Sequence, residues 1–408
     1  MLSSQRSRLD TRGRWLSFCL LALAVACGSS VKRVDPVAET RQEPRVAAPP
    51  EPQARAELRV GTSFDYAPFS TRDAAGAPQG FDVELAEQLA SDLGLELVWV
   101  PFRWTSLQSQ LTSDALDVAM GGVTWQPARA VLGHMTRSVA RGGPCVLGDP
   151  AAARVAVNRG GVLELWARGH WPDRELITVT DNTSLPSLLE SRSVGAIVTD
   201  SFERKAFQRP GWAVTCEPPL ARKVYWVAPA RAGDLGPRID AWLLVNIPRV
   251  LAAQARWFGE QQRLDATTHL VDLLARRFAF MPIVAALKAE QGLPIEDLAR
   301  EAEVLLAVGQ SARRLGLPEQ PVGELFALTI SLSKAVQRRQ REASRLDLAA
   351  QVRPAVLALG ERILQALVEA RSEGQLGRLT LVDLELLSPW LSPPEREQLL
   401  TSLRALGS

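Results

Sequence analysis

The stretch ELRVGTSFDYAPFSTRDAAGAPQGFDVELAEQLASDLGLELVWVPF, residues 57–102, decides the fold of the first half of the chain. ELRVGTSFDYAPFS reads as a strand running into a loop. In GFDVELAEQLASDLGL, Phe81, Leu85, Leu89 and Leu93 recur every four residues, so one helical face is apolar. Gly94 is a natural helix stop, and LELVWVPF is the next strand. SLQSQLTSDALDVAMGG continues with helix and strand. Strand–helix alternation predicts a parallel sheet covered by helices. A second run starts at RVAVNRGG (154–161) and includes VGAIVTD (194–200), and KVYWVAP (223–229) reads as a return strand. Two α/β lobes joined by a return crossing enclose a cleft, where ligands bind at strand ends.

The chain has 408 residues, 46% apolar and 23% charged, enough for two or three domains. A net charge of +2 gives no argument for a nucleic-acid partner. Residues 1–27 read as an export signal: Arg6, Arg8, Arg12 and Arg14 precede the apolar WLSFCLLALAVA, then AVAC ends at Cys27. That pattern resembles a bacterial lipoprotein signal with Cys27 as the lipidated residue, which implies attachment to a membrane and a periplasmic location; Ala24, where Leu is usual, leaves an ordinary secretory signal open. Residues 28–57, rich in Pro, Ala and charge, read as a flexible tether. Cys145 and Cys216 remain as an even pair in an oxidising compartment, which predicts a disulfide; two separate buried thiols are the alternative. His134, His170 and His269 are scattered, so no metal cluster is indicated and no cofactor is expected.

Residues 58–258 resemble the periplasmic solute-binding proteins for polar amino acids. LRVGTSFDYAPFS, GFDVELAEQLA, LDVAMGGVTWQPAR and VGAIVTD stand in that family's order. The resemblance implies that Arg129 holds a ligand carboxylate and Asp200 an ammonium. A narrower resemblance is to the cyclohexadienyl dehydratases, enzymes on the same fold that remove water and carbon dioxide from prephenate or arogenate. Asp65, Trp104, Asn158 and Glu203 match it, as do Lys223 and Tyr225 and the two cysteines. Loss of a ring hydroxyl needs a general acid, and a Glu shielded by aromatic rings keeps its proton near neutral pH. Glu203 is the candidate acid, Arg129 the carboxylate clamp, Trp104 the ring cover, and Asn158 and Asp65 orienting groups. Against this stand plainer readings: Glu203 as a solvated helix residue, Trp104 as core, Asp200 as a helix cap. Two stretches depart from the pattern, GGVLE (160–164) and GGPCV (142–146), with Val162, Leu163 and Pro144 where polar residues are usual.

From residue 261 to 408 the periodicity is helical throughout, which predicts an α-bundle. ALKAEQGLPIEDLARE (286–301) places Lys288 and Arg300 among apolar neighbours. Arg277 lies eleven residues before Lys288, close to three turns. Ser333 and Gln337 share a face of the third helix, and Arg362 sits among apolar residues of the fourth. ARR (275–277) and QRRQR otherwise read mostly as solvated faces. A cluster of inward cations is costly without an anion to meet it. The motif order resembles the all-helical chorismate mutases of the exported kind. The resemblance implies that Arg277 and Arg362 hold two carboxylates with Ser333, and that Arg300 supports them. It assigns Asp297 and Glu301 to the ring hydroxyl, Lys288 and Gln337 to the ether oxygen. It also implies chains paired through the helical domain.

The expected architecture is therefore an α/β two-lobed periplasmic binding protein-like domain followed by an all-α chorismate mutase helical domain. The expected substrates are chorismate and prephenate. The competing expectation is a mutase fused to a non-catalytic binding or sensor domain.

Overall fold

Leu58 and Val60 alternate inward along the strand Glu57–Thr62, and this strand nucleates the first lobe. The computed structural model describes residues 56–407. The export signal, Cys27 and the tether up to residue 55 lie outside the described residues. Glu57–Thr62 pairs in parallel with Glu96–Pro101 on one side and Val118–Ala119 on the other. Trp226–Val227 returns antiparallel between Val118–Ala119 and His134–Met135 and completes a five-stranded sheet. Helix Phe81–Leu93 covers it, with Phe81, Leu85 and Leu89 buried, and stops at left-handed Gly94.

The second lobe has its own five-stranded sheet, in the order Glu175–Val179, Arg154–Asn158, Ala196–Asp200, Pro144–Gly148, Val214–Cys216. Cys145 and Cys216 oppose each other in its last strand pair and are joined by a disulfide. The antiparallel pair Ala140–Gly142 and Ala221–Lys223 connects the lobes. The first part is thus a periplasmic binding protein-like α/β fold.

Helices Ala266–Ala279, Met281–Glu290, Leu298–Arg314, Glu319–Arg339, Arg353–Ser372 and Pro393–Ala405 form the helix-rich C-terminal region. The helical run is broken at Phe280, just before Pro282, because a proline is tolerated in a first helical turn and not in the interior. A short 3₁₀ turn, Glu385–Leu387, precedes the last of these helices.

The helical region does not stand apart from the α/β part. Leu107, Leu111, Met135 and Trp226 of the first lobe share one apolar core with Leu270, Leu274, Phe278 and Leu367. Helix Ala266–Ala279 is buried over most of its circumference, as a helix central to a core must be. Arg276, read from sequence as part of a solvated face, is 0% exposed. Its Nη2 donates to Asp272 Oδ2 at 2.7 Å, and Asp272 also pairs with Arg222 of the lobe-connecting strand. Burial pushes the Asp272 carboxyl up, but the two guanidiniums outweigh it and hold it at about 2. Arg137 forks onto Glu369, with distances of 3.0–3.2 Å, to join the same two parts.

Candidate active sites

The cleft site is built from strand ends. Asn158 and Asp200 are the last residues of their parallel strands, and Glu203 follows three residues later at the cap of helix Arg204–Phe207. From the first lobe, Tyr66, Trp104, Thr124 and Arg129 face them. Together with the connecting strand residue Lys223 they enclose a cavity of about 310 Å³, at the lower end of the roughly 300–1,000 Å³ usual for small ligands. Gly122 also lines it. It sits at φ 71°, and a Cβ there would lie 2.3 Å from the Tyr66 ring, so only glycine allows that close approach.

Glu203 is 1% exposed. Thr199 Oγ1 donates to its Oε2 at 2.7 Å, and the Asn182 amide donates to Oε1. Burial raises its pKa to about 8, against the pull of those two hydrogen bonds. The solvated-helix alternative therefore does not describe this side chain. Arg129 Nη1 donates to the Thr124 carbonyl at 3.0 Å and has no carboxylate partner among the described residues. Burial lowers its guanidinium to about 10, so it remains a cation. Asp200 is not free: Lys223 Nζ lies 2.8 Å from its Oδ2. The same ammonium donates to Tyr66 Oη at 2.8 Å and Thr124 Oγ1 at 3.1 Å. Trp104 packs edge-on to Tyr66, with ring centres 6.0 Å apart. Val162, Leu163 and Pro144 form apolar wall where the sequence departs from the dehydratase pattern.

Asp65 sits beside Asn182. It lies outside the cavity lining, and burial, with Asp181 nearby, holds its carboxyl above the usual range. Its neighbour Tyr66 takes the lining position, because Tyr66 bridges to Ser70 and packs on Gly122. Sequence reasoning missed Asn182, a plain polar residue in the turn after Glu175–Val179, whose role depends on its approach to Glu203.

A second cavity, about 150 Å³, lies within the helical region. Arg277, Lys288, Asp297, Arg300, Glu301, Ser333 and Gln337 all line it. Arg277 is buried, its Nε has no hydrogen-bond partner and no carboxylate pairs with it among the described residues. Burial alone brings its guanidinium down to about 10. Lys288 donates to the Ile295 carbonyl at 2.7 Å, and burial lowers its ammonium. Gln337 is buried with its Oε1 unpartnered. Asp297 caps its helix through the Arg300 amide at 3.1 Å. Glu301 pairs with Lys334 at 2.9 Å. Ser333 Oγ donates to the Thr329 carbonyl at 2.8 Å.

Arg362 is a correction. It faces the first lobe, donating to the Met135 carbonyl at 2.8 Å and to Asp240 at 3.2 Å. The cavity is lined instead by Arg353 of the same helix, with Val356 and Leu357. Nine residues separate the two arginines, or two and a half turns, so they lie on opposite faces. Arg353 is close enough to depress the Lys288 ammonium and has no carboxylate partner among the described residues. Each cavity thus holds a buried arginine that pairs with no carboxylate among the described residues, Arg129 in one and Arg277 in the other, and each suits an anion.

The sequence profile of the bacterial extracellular solute-binding proteins, family 3, matches residues 58–380. The chain belongs to that family. Among individual relatives, cyclohexadienyl dehydratase of Pseudomonas aeruginosa is 30% identical over 166 residues, 37% of this chain and 62% of that protein. A secreted chorismate mutase of Yersinia pestis is 38% identical over 91 residues, 22% of this chain and 44% of that protein. The chain therefore spans less than two thirds of the length of either relative. An ancestral amino-acid-binding protein, described as a precursor of cyclohexadienyl dehydratase, is 25% identical, with 50% of this chain and 96% of that chain covered at a TM-score of 0.46. Membership of an extracellular solute-binding family marks the protein as exported.

Proposed function

We propose that the protein is a bifunctional enzyme of extracytoplasmic phenylalanine biosynthesis. The helical cavity converts chorismate to prephenate, and the cleft converts prephenate to phenylpyruvate. The chain is held at a bacterial membrane by lipid on Cys27, and chains pair through the helical region.

One observation carries the dehydratase reading: Glu203, in the cavity wall and opposite the lobe that supplies Arg129, is a buried carboxyl raised to about 8. A binding protein for zwitterionic ligands has no use for a neutral carboxylic acid there. In the proposed step, Arg129 holds a substrate carboxylate as a charge-assisted pair. The bond between ring and the departing carboxylate breaks, and its electrons enter the ring. The ring hydroxyl leaves with the Glu203 proton as water, and carbon dioxide is released. The Glu203 carboxylate is then reprotonated from solvent. Asn182 and Thr199 fix the acid's orientation, and Trp104 covers the ring.

In the helical cavity no proton moves. The ether C–O bond breaks as the new C–C bond forms, and negative charge builds on the ether oxygen. Lys288 and Gln337 are the proposed donors to that oxygen. Gln337 donates at any pH. Arg277 and Arg353 are the proposed clamps for the two carboxylates, with Ser333 and Arg300 assisting, and hold the reactive conformer. Asp297 and Glu301 are proposed to meet the ring hydroxyl.

The test is to supply each substrate separately at pH 7.5 and assay prephenate and phenylpyruvate. Turnover of both supports the reading. Binding of prephenate without phenylpyruvate formation would leave a mutase fused to a binding domain, with the apolar wall at Val162 and Leu163 as the feature that favours that second reading.

A further inference from the structure

We propose that Phe202 is a positioning residue for the acid step: its ring, seated in the first lobe, clamps the turn that carries Glu203 over the cleft and keeps water from the acid. This rests on the dehydratase reading and adds to it the side chain that sets the acid against the substrate.

The acid and the proposed carboxylate clamp stand on different lobes, Arg129 on the first and Glu203 on the second. Both hydrogen bonds to the Glu203 carboxyl, from Thr199 and Asn182, come from the second lobe. They orient the acid without fixing its distance from Arg129. In the same turn, Asp200 reaches the connecting strand through Lys223, and Phe202 reaches the first lobe itself. Phe202 follows strand Ala196–Asp200, yet its ring packs against the first lobe's core. It lies edge-on to the Phe69 ring, with centres 4.9 Å apart, and 4.5 Å from the Phe258 ring. Phe69 and Phe258 are 0% and 8% exposed, and Phe81 packs on both. Such aromatic pairs attract beyond the area they bury.

The turn transmits that seat to the acid. The Phe202 amide donates to Asp200 Oδ1 at 3.2 Å, and the Glu203 amide donates to the Asp200 carbonyl at 3.0 Å, so ring and carboxyl move together. Gly142 of the connecting strand makes room: a Cβ there would lie 2.8 Å from the Phe202 ring and 2.6 Å from Asp200 Oδ1. The charged and titratable groups around Glu203 are Asp200 on its own turn, Lys223 on the connecting strand, and Tyr66 and Arg129 on the first lobe. Burial outweighs them all in raising its carboxyl. Without the Phe202 ring those groups and the two hydrogen bonds remain. The seam between the lobes then opens to water, and hydration stabilises the carboxylate.

The experiment records the pH dependence of phenylpyruvate formation. In parallel it follows the infrared band of the Glu203 carboxylic acid, identified by its loss in Glu203→Gln, which needs no turnover. In the intact protein both should report loss of the acid near pH 8. Phe202→Ala is expected to move both midpoints down by about one pH unit or more, and to lower kcat more than it changes KM. Phe258→Ala removes the seat from the first-lobe side, leaves the turn untouched, and is expected to do the same. Midpoints that stay at the parent's in folded Phe202→Ala overturn the proposal, whatever happens to Tm, because a merely structural ring lowers Tm alone. If neither alanine variant folds, Phe202→Leu decides: a downward shift supports the proposal and an unmoved midpoint overturns it. A shifted band without phenylpyruvate formation by the intact protein would sink the dehydratase reading and leave the shielding of Glu203 by Phe202 standing.

Discussion

Replacing Glu203 by Gln keeps the shape of the side chain and removes its proton. With a value of about 8, Glu203 is roughly 90% protonated at pH 7, where a carboxyl at 4.5 would be roughly 0.3% protonated. Burial thus enlarges the population of working acid about 300-fold. A positioned general acid contributes roughly 10²- to 10⁴-fold, so Glu203→Gln is expected to lower kcat for phenylpyruvate formation by that factor. In the unmodified protein the rate should fall about tenfold between pH 7 and pH 9 as the acid ionises, while the mutase rate does not follow that profile. The same shift acts on stability. The folded-state value lies above the unfolded one, so the contribution is complete below about pH 4.5 and is lost as pH rises through about 8, an effect on the order of 5 kcal/mol. The Gln protein should lack that slope in urea melts taken across pH 5–9. The assay is phenylpyruvate release from supplied prephenate, with Tm recorded alongside. An unchanged rate in a folded Glu203→Gln protein, or a parent rate that stays flat to pH 9, refutes the assignment.

Three further outcomes are expected. Lys288→Ala should abolish prephenate formation from chorismate and leave phenylpyruvate formation from supplied prephenate intact; both activities measured on one preparation check this. Arg353→Ala should lower mutase kcat/KM by roughly 10²-fold or more, the scale of losing a charge-assisted clamp, whereas Arg362→Ala should leave it within a few-fold and lower Tm instead. Asp272→Ala strands Arg222 and Arg276 in the shared core, at a cost of about 3–5 kcal/mol, and should lower Tm and weaken both activities on warming, read by calorimetry.

Much of this was legible in the sequence because it is local. Phe81, Leu85 and Leu89 announce a helix face, and the alternation around it announces a parallel sheet. Ser333 and Gln337 share a helix face by their spacing, and their order with Arg277, Lys288 and Arg300 resembled that of the helical mutases, so a common cavity could be expected before any contact was known. Arg362 misled because an arginine among leucines looks the same from either side of a helix; only the partner surface, here Met135 and Asp240, decides its face. Asp65 and Tyr66 are adjacent in a loop, where no periodicity tells which one lines a cavity. Asn182 and the Lys223–Asp200 pair are long-range, and composition gives no sign of them. Arg276 read as solvent-facing because charge is mostly exposed; it is buried because Asp272 sits one turn away and the first lobe covers both.

The most direct test of the two-site account gives the chain from residue 28 onward chorismate alone, at pH 7.5, and follows prephenate and phenylpyruvate by chromatography. The account predicts transient prephenate followed by phenylpyruvate, with the second step lost in Glu203→Gln. Prephenate that accumulates without phenylpyruvate contradicts the dehydratase half, and unchanged chorismate contradicts the mutase half.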